Sequence, residues 1–339
     1  MHEIVIAVAD LYLTRAGPSQ LGALPGLERA GRFGARAALP RGWRGWLAGR
    51  LARTDLNEHA PAAIASAALE AADAALRPDV TSWLATPLHL SAGLTRVHLD
   101  HRGLLRLNRA EQTLLAAQFQ TTFGGSGYEL TPLHAGDFLL RTPDIGPLEN
   151  VEPARCAGGE VAEALPRGAA AGELRRLLAE IEMWLHTLPL NEERARRGAA
   201  PVTTLWLWGA QGRMMPPEPR GAADTAVSYG RDAWLEGVMR LTGGSSQALP
   251  ERLLGAREDA PLAVYALEVG GELQHFGHAT MAQALARLDA DFISPALAAL
   301  RRGSCQRLTI LLNDVSVSLG RSSHLKLWRR SRAGLESYA

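Results

Sequence analysis

Four short apolar runs, at 4–9, 204–208, 262–267 and 308–312, constrain this chain more than any other feature. Each is apolar at odd and even positions alike (IVIAVA, TLWLW, LAVYAL and LTILL), the pattern of a strand covered on both faces. Helical spacing fills much of the chain between them. Residues 173–186 set Leu174, Leu177, Leu178, Ile181 and Leu185 on one stripe. Residues 280–300 do the same with Met281, Leu285, Leu288, Phe292 and Leu297, and Pro295 must kink or end that helix. Strands and helices alternating in this way predict an α/β fold, a doubly wound and mostly parallel sheet containing all four runs.

Residues 81–143 have a different texture. Short strands are expected at 88–90 and 95–99. A helix follows from Asn108, its N-cap, with Glu111 at the capping-box position, and runs to Phe123. Gly124, Gly125 and Gly127 end it, and 128–133 with 137–141 read as a hairpin. The sequence therefore predicts an α/β core made of 1–80 plus 144–339, interrupted by an inserted α+β subdomain at 81–143. The Ala- and Gly-rich stretch 155–172 reads as a linker.

Composition excludes several classes. Hydrophobic residues make up 47% of the 339, charged residues 21%, and the formal net charge is +1, which fits neither disorder nor a global nucleic-acid footprint. Cys156 and Cys305 have no metal-ligand spacing around them and read as reduced thiols. No apolar run is long enough to span a membrane, and the start lacks a basic n-region, so a cytoplasmic protein without a membrane partner is expected. Lys326, Arg329, Arg330 and Arg332, with Trp328, form a basic patch near the end, read chiefly as a solvated tail rather than a nucleic-acid contact.

The segments LPGLERAG at 24–31, WLATPLHL at 83–90 and the stretch from Asn191 to Gly212 together resemble bacterial regulatory proteins of RpfE type. That group is similar in turn to the archaeal-type cofactor-independent phosphoglycerate mutases of the alkaline phosphatase superfamily. The resemblance implies an alkaline-phosphatase-like architecture and a two-metal site for phosphoryl transfer through a serine or threonine. It implies that Asp10, His278, Asp314 and His324 are what remains of the metal ligands. It also implies losses, since Gln274 stands where the family has an aspartate and Val315 where it has a histidine. The expected nucleophile region offers Thr54 and Ser66, neither in a recognisable nucleophile turn, with Thr54 reading as an N-cap.

The bland readings stand beside these. Asp314 follows Asn313 as a turn pair, Asp10 can cap a following segment, His278 can open a helix, and Trp206 and Trp208 read as core. Asn191, Arg194 and Arg197 are the expected contacts for an anionic ligand, a phosphorylated metabolite, because arginine forks suit phosphate. The sequence thus points to a catalytically degenerate mutase-like protein with a regulatory or ligand-binding role and a regulatory partner it does not name. The alternatives are an active phosphotransferase with a rebuilt site, using Mn or Zn, and a nucleic-acid-linked regulator using the basic tail. No catalytic residue and no resident cofactor is assigned.

Overall fold

The computed structural model describes residues 3–12, 22–69, 80–93, 96–134, 136–144, 150–220, 226–253, 260–275 and 280–323. In chain order its strands are β1 (Glu3–Val8), β2 (Ala35–Ala38), β3 (Val80–Leu88), β4 (Ser91–Ala92), β5 (Val97–Leu99), β6 (Glu129–Pro132), β7 (Phe138–Pro143), β8 (Gly159–Glu160), β9 (Thr204–Trp208), β10 (Ala226–Tyr229), β11 (Ser245–Gln247), β12 (Leu262–Leu267), β13 (Arg307–Leu312) and β14 (Val315–Gly320). The helices are α1 (Pro25–Phe33), α2 (Gly42–Arg50), α3 (Pro61–Ser66), α4 (Arg109–Phe123), α5 (Ala171–His186), α6 (Pro189–Arg196), α7 (Ala233–Thr242), α8 (Val269–His275), α9 (Met281–Leu288) and α10 (Ser294–Arg302). They fall into two compact units, one comprising 1–56, 219–232 and 239–339, the other 57–218 and 233–238.

The first unit is a mixed α/β structure on a seven-stranded sheet of order β11-β10-β12-β1-β13-β14-β2. The five strands from β11 to β13 run parallel, and β14 and β2 continue antiparallel. Every residue of β1 is buried, as its two-sided apolar pattern requires. Three of the four apolar runs lie here as expected, with Ile4 opposite both Ala263 and Leu308. The hairpin between β13 and β14 turns on Asn313 and Asp314, with φ of +55° and +60°. Two left-handed residues make the tight loop whose twist suits an antiparallel pair, and Asn and Asp tolerate that conformation.

The helical run over 280–300 forms in three parts. Thr280 caps α9 in a capping box with Gln283. A π-turn over Asp289–Ile293 follows, and α10 restarts with Pro295 in its first turn. Pro295 has no N–H to give the carbonyl four residues back, Asp291, and that carbonyl instead accepts the Leu253 amide at 2.8 Å. The π-turn also carries Asp289, which is 1% exposed. Its carboxylate accepts the Gly26 and Leu27 amides of α1 at 2.8 and 2.7 Å. These are two of the amides that the first turn of a helix leaves open, and Leu24, at the N-cap, has no side chain to meet them. Gly26 is required, because a Cβ there would lie 2.7 Å from Asp289 Oδ1.

The second unit is built on an antiparallel sheet of order β6-β7-β3-β9. The run 204–208, expected in the main sheet, is the edge strand here and pairs with β3. All five of its residues are buried, so the same two-sided pattern is met by a covered antiparallel edge. Asn150 Nδ2 donates to Leu207 O, and the Trp206 indole donates to Val151 O, so residues 150–151 cap that edge. This pairing redraws the expected boundaries. Together with α5 and α6 it extends the second unit well beyond the 81–143 of the sequence reading and leaves 1–80 plus 144–339 divided. The 155–172 stretch, expected as a linker, contains β8, which pairs with β5. The 128–133 and 137–141 hairpin is β6 and β7, and α4 has the full Asn108–Glu111 capping box.

Burial pushes the Asp289 carboxyl above the usual carboxylate range, against the lowering effect of the two amides and Ser294. A raised folded-state pKa stabilises the fold below about pH 4 and ceases to do so as pH rises through that pKa. The stability advantage of the wild type over Asp289→Asn, read from urea midpoints, is therefore expected to narrow as pH is raised from 4 to 7. A gap that widens over that window would contradict this assignment.

Candidate functional site

In open parallel sheets, ligands are met at the carboxyl ends of the strands. Asp10 lies there, two residues beyond β1, and is 4% exposed. Its Oδ1 accepts the Val269 amide and its Oδ2 the Gly270 amide, both at 2.7 Å. Those amides open α8, the helix that follows the neighbouring strand β12, so Asp10 caps a helix distant in sequence rather than the segment after it. Asp314 lies at the same edge. Ala7 pairs with Leu311, and each carboxylate comes three residues later. Asp314 is half-buried in the hairpin turn, and its carbonyl accepts the Leu39 amide at 2.7 Å.

Beyond β10, Asp232 Oδ2 receives Arg44 Nη2 at 2.9 Å, with side-chain exposures of 11% and 15%. Arg44 also lies over the Trp43 ring, 4.6 Å from its centroid. Gly230 permits that turn, since at φ +131° any Cβ would lie 2.5 Å from Ala266 O. Sequence reading missed the Arg44–Asp232 pair, because its partners stand 188 positions apart and nothing local marks them.

Of the four residues expected to ligate metal, Asp10 and Asp314 share this edge, while His278 and His324 lie outside the described residues. Among the described residues, no group of three or more His, Cys, Asp and Glu is placed to hold a metal ion. Of the expected ligands only Asp10 and Asp314 are among the described residues, too few to hold a metal pair, and each Asp10 oxygen also caps α8. The basic tail residues Lys326 to Arg332 likewise lie outside the described residues. Ser66 is fully buried and donates to Ala63 O at 2.8 Å, which removes it as a nucleophile. Thr54 opens a 3₁₀ turn over Thr54–Glu58. Burial raises both thiols, Cys156 to about 11, so neither is a thiolate at neutral pH.

In the second unit the structure corrects the expected anion contacts. Asn191 Nδ2 donates to Leu185 O and Val202 O, and its Oδ1 accepts the Val202 amide. Arg194 is 5% exposed, donating from Nη1 to Glu111 Oε1 at 2.7 Å and from Nε to Ala200 O at 2.7 Å. Arg197 Nη2 reaches the same Glu111 oxygen at 2.9 Å. Glu111 Oε2 meanwhile accepts the Asn108 amide. One carboxylate thus closes the α4 cap and anchors α6, and the Asn191 amide and the Arg194 guanidinium are spent on the fold, while Arg197 stays half-exposed. The indoles of Trp206 and Trp208 donate to Val151 O and Thr86 Oγ1 from buried positions, which makes them core.

No family profile matches this chain. No curated protein matches it. Among solved structures, the cofactor-independent phosphoglycerate mutase from Thermoplasma acidophilum aligns over 100% of this chain and 94% of its own, at 13% identity and a TM-score of 0.39. The PH0037 protein from Pyrococcus horikoshii aligns over 99% of this chain and 91% of its own, at 14% identity and a TM-score of 0.48. The class the chain's own topology defines is a mixed α/β protein with a large, mostly parallel sheet. No helix among the described residues is long and apolar enough to cross a membrane.

Removing Arg194 leaves Glu111 buried against only the half-exposed Arg197. Arg194→Ala is expected to lower unfolding free energy by about 3–5 kcal/mol. Arg197→Ala should cost less than about 1 kcal/mol, as exposed pairs do. Denaturant titration of the two variants separates them, and equal small losses would return Arg194 to the ligand-contact reading.

Proposed function

We propose that this chain is a phosphoglycerate-mutase-like protein of alkaline-phosphatase-like architecture that has given up turnover and acts in the cytoplasm as a ligand-binding regulator of RpfE type. The observation that carries this reading is Asp10. At the position where the resemblance calls for a metal ligand, both carboxylate oxygens serve as the cap of α8, a structural task that does not depend on a metal. Gln274 and Val315, standing where the resemblance calls for charged or imidazole ligands, support the same reading. So does a buried Ser66, because phosphoryl transfer depends on a positioned nucleophile and metal for most of its acceleration.

A second reading, a metal-dependent phosphotransferase with a rebuilt site, rests on one observation. Asp10 and Asp314 follow adjacent parallel strands at equivalent positions, so two carboxylates do meet one sheet edge. Among the described residues no third ligand joins them.

The two readings part in one experiment. Purified protein is expected to show no phosphoglycerate mutase turnover with or without added Mn or Zn, and to carry no stoichiometric metal. Asp10→Asn, which keeps one acceptor for α8, should lower the melting temperature and leave metal content unchanged. Robust turnover that Asp10→Asn abolishes would promote the second reading.

A further inference from the structure

A basic groove runs along the outside of the first unit, between α1 and α10. The two helices lie side by side. Gly26 sits against Ser294 at one end, and Phe33 shares the groove wall with Arg301 at the other. The cavity between them has a volume of about 450 Å³. A second cavity of about 360 Å³ shares Arg29, Phe33, Leu297 and Arg301 with it.

Three guanidinium groups face it, from Arg29, Arg32 and Arg301. Among the described residues these three are engaged in no ion pair and no side-chain hydrogen bond. The contrast within the same unit is informative, since Arg44, Arg50 and Arg53 all meet carboxylates. Arg32 is held over the Phe33 ring, 5.2 Å from its centroid. One acid, Glu28, lines the groove beside the three arginines, and its Oε1 accepts the Leu24 amide at 3.3 Å. Asp289 is buried behind Gly26 on the α1 amides. The whole chain carries a formal charge of only +1, so this concentration of cations is local.

We propose that the groove between α1 and α10 is a binding site for a small phosphate monoester, whose phosphate is held by Arg29, Arg32 and Arg301 and whose carbon body lies on Phe33 and Leu297. Arginine donors in convergent pairs match phosphate oxygens, and a monoester is close to a dianion at neutral pH. Arg29 and Arg32 are three positions apart and so project from one face of α1, while Arg301 approaches from α10. The apolar floor distinguishes an organic ester from bare phosphate. The volume falls within the range of small-molecule pockets. None of these residues is among Asp10, Asp232 and Asp314, so the site stands whether or not the mutase-like reading holds.

Phenyl phosphate is a suitable probe, titrated calorimetrically into the full-length protein at low salt. Saturable binding is expected, at least about tenfold tighter than inorganic phosphate because the ring covers apolar surface. Phenol, lacking the anion, should not bind. The Arg29→Ala/Arg301→Ala variant removes two exposed side chains and should keep its melting temperature while losing at least about tenfold in affinity. Arg176→Ala, an exposed arginine of α5 in the second unit, removes a charge elsewhere and should bind as the wild type does. The lipid source of the same chemistry is tested with vesicles containing phosphatidic acid. Absence of phenyl phosphate binding, an equal loss in Arg176→Ala, or capture by the vesicles alone would overturn the assignment.

Discussion

Burying a carboxylate in a helix-covered sheet is costly, by several kcal/mol for an ion without compensation, and the first unit meets this cost at two places with the same device. Asp10 and Asp289 each direct both oxygens at backbone amides in the first turn of a helix. Hydrogen bonds to a charged group contribute about 1.5–3 kcal/mol each, so two per carboxylate reduce the desolvation cost, although at Asp289 burial still outweighs them and its carboxyl is raised. The helix dipole adds in the same direction. The gain is geometric, because each carboxylate comes from a segment more than 250 residues away from the helix it caps. The ends of β1 and α1 are thereby fixed against elements that local sequence could never align with them.

The second unit uses a different version of the same idea. Glu111 serves its own helix as a capping-box residue and also accepts Arg194 and Arg197. The local half of that arrangement was legible, because Asn108 and Glu111 stand three apart with a helical pattern behind them. The distant half was not, because an arginine in sequence does not show which carboxylate it will meet. That is why Arg194 and Asn191 read as ligand contacts when they are braces. The strand β9 misled for a related reason. An apolar pattern on both faces states that a strand is covered, and it does not state by which sheet.

What sequence did convey about the first unit was its class and three of the seven strands of its sheet. The runs that form β1, β12 and β13 were visible, and so were the Asn313–Asp314 turn and the disturbance at Pro295. The strand β10 was missed, being four residues long with a polar Ser228 in it. The groove of Arg29, Arg32 and Arg301 was equally hidden, since two of its cations come from one helix and the third from a helix some 270 positions further on.

The position of β1 also bears on how the chain comes to be folded as it is made. Both strands that flank it, β12 and β13, come from the last quarter of the sequence. A ribosome delivers the amino end first, so β1 emerges as an apolar strand with two open edges and waits for partners until about 250 or more further residues have been made. The stretch 57–218, by contrast, supplies nearly all of its unit without interruption. Its strands have their neighbours at hand while the later residues are still being added. Translation speed, or a chaperone that shields residues 3–8, therefore bears on the yield of the first unit far more than on that of the second.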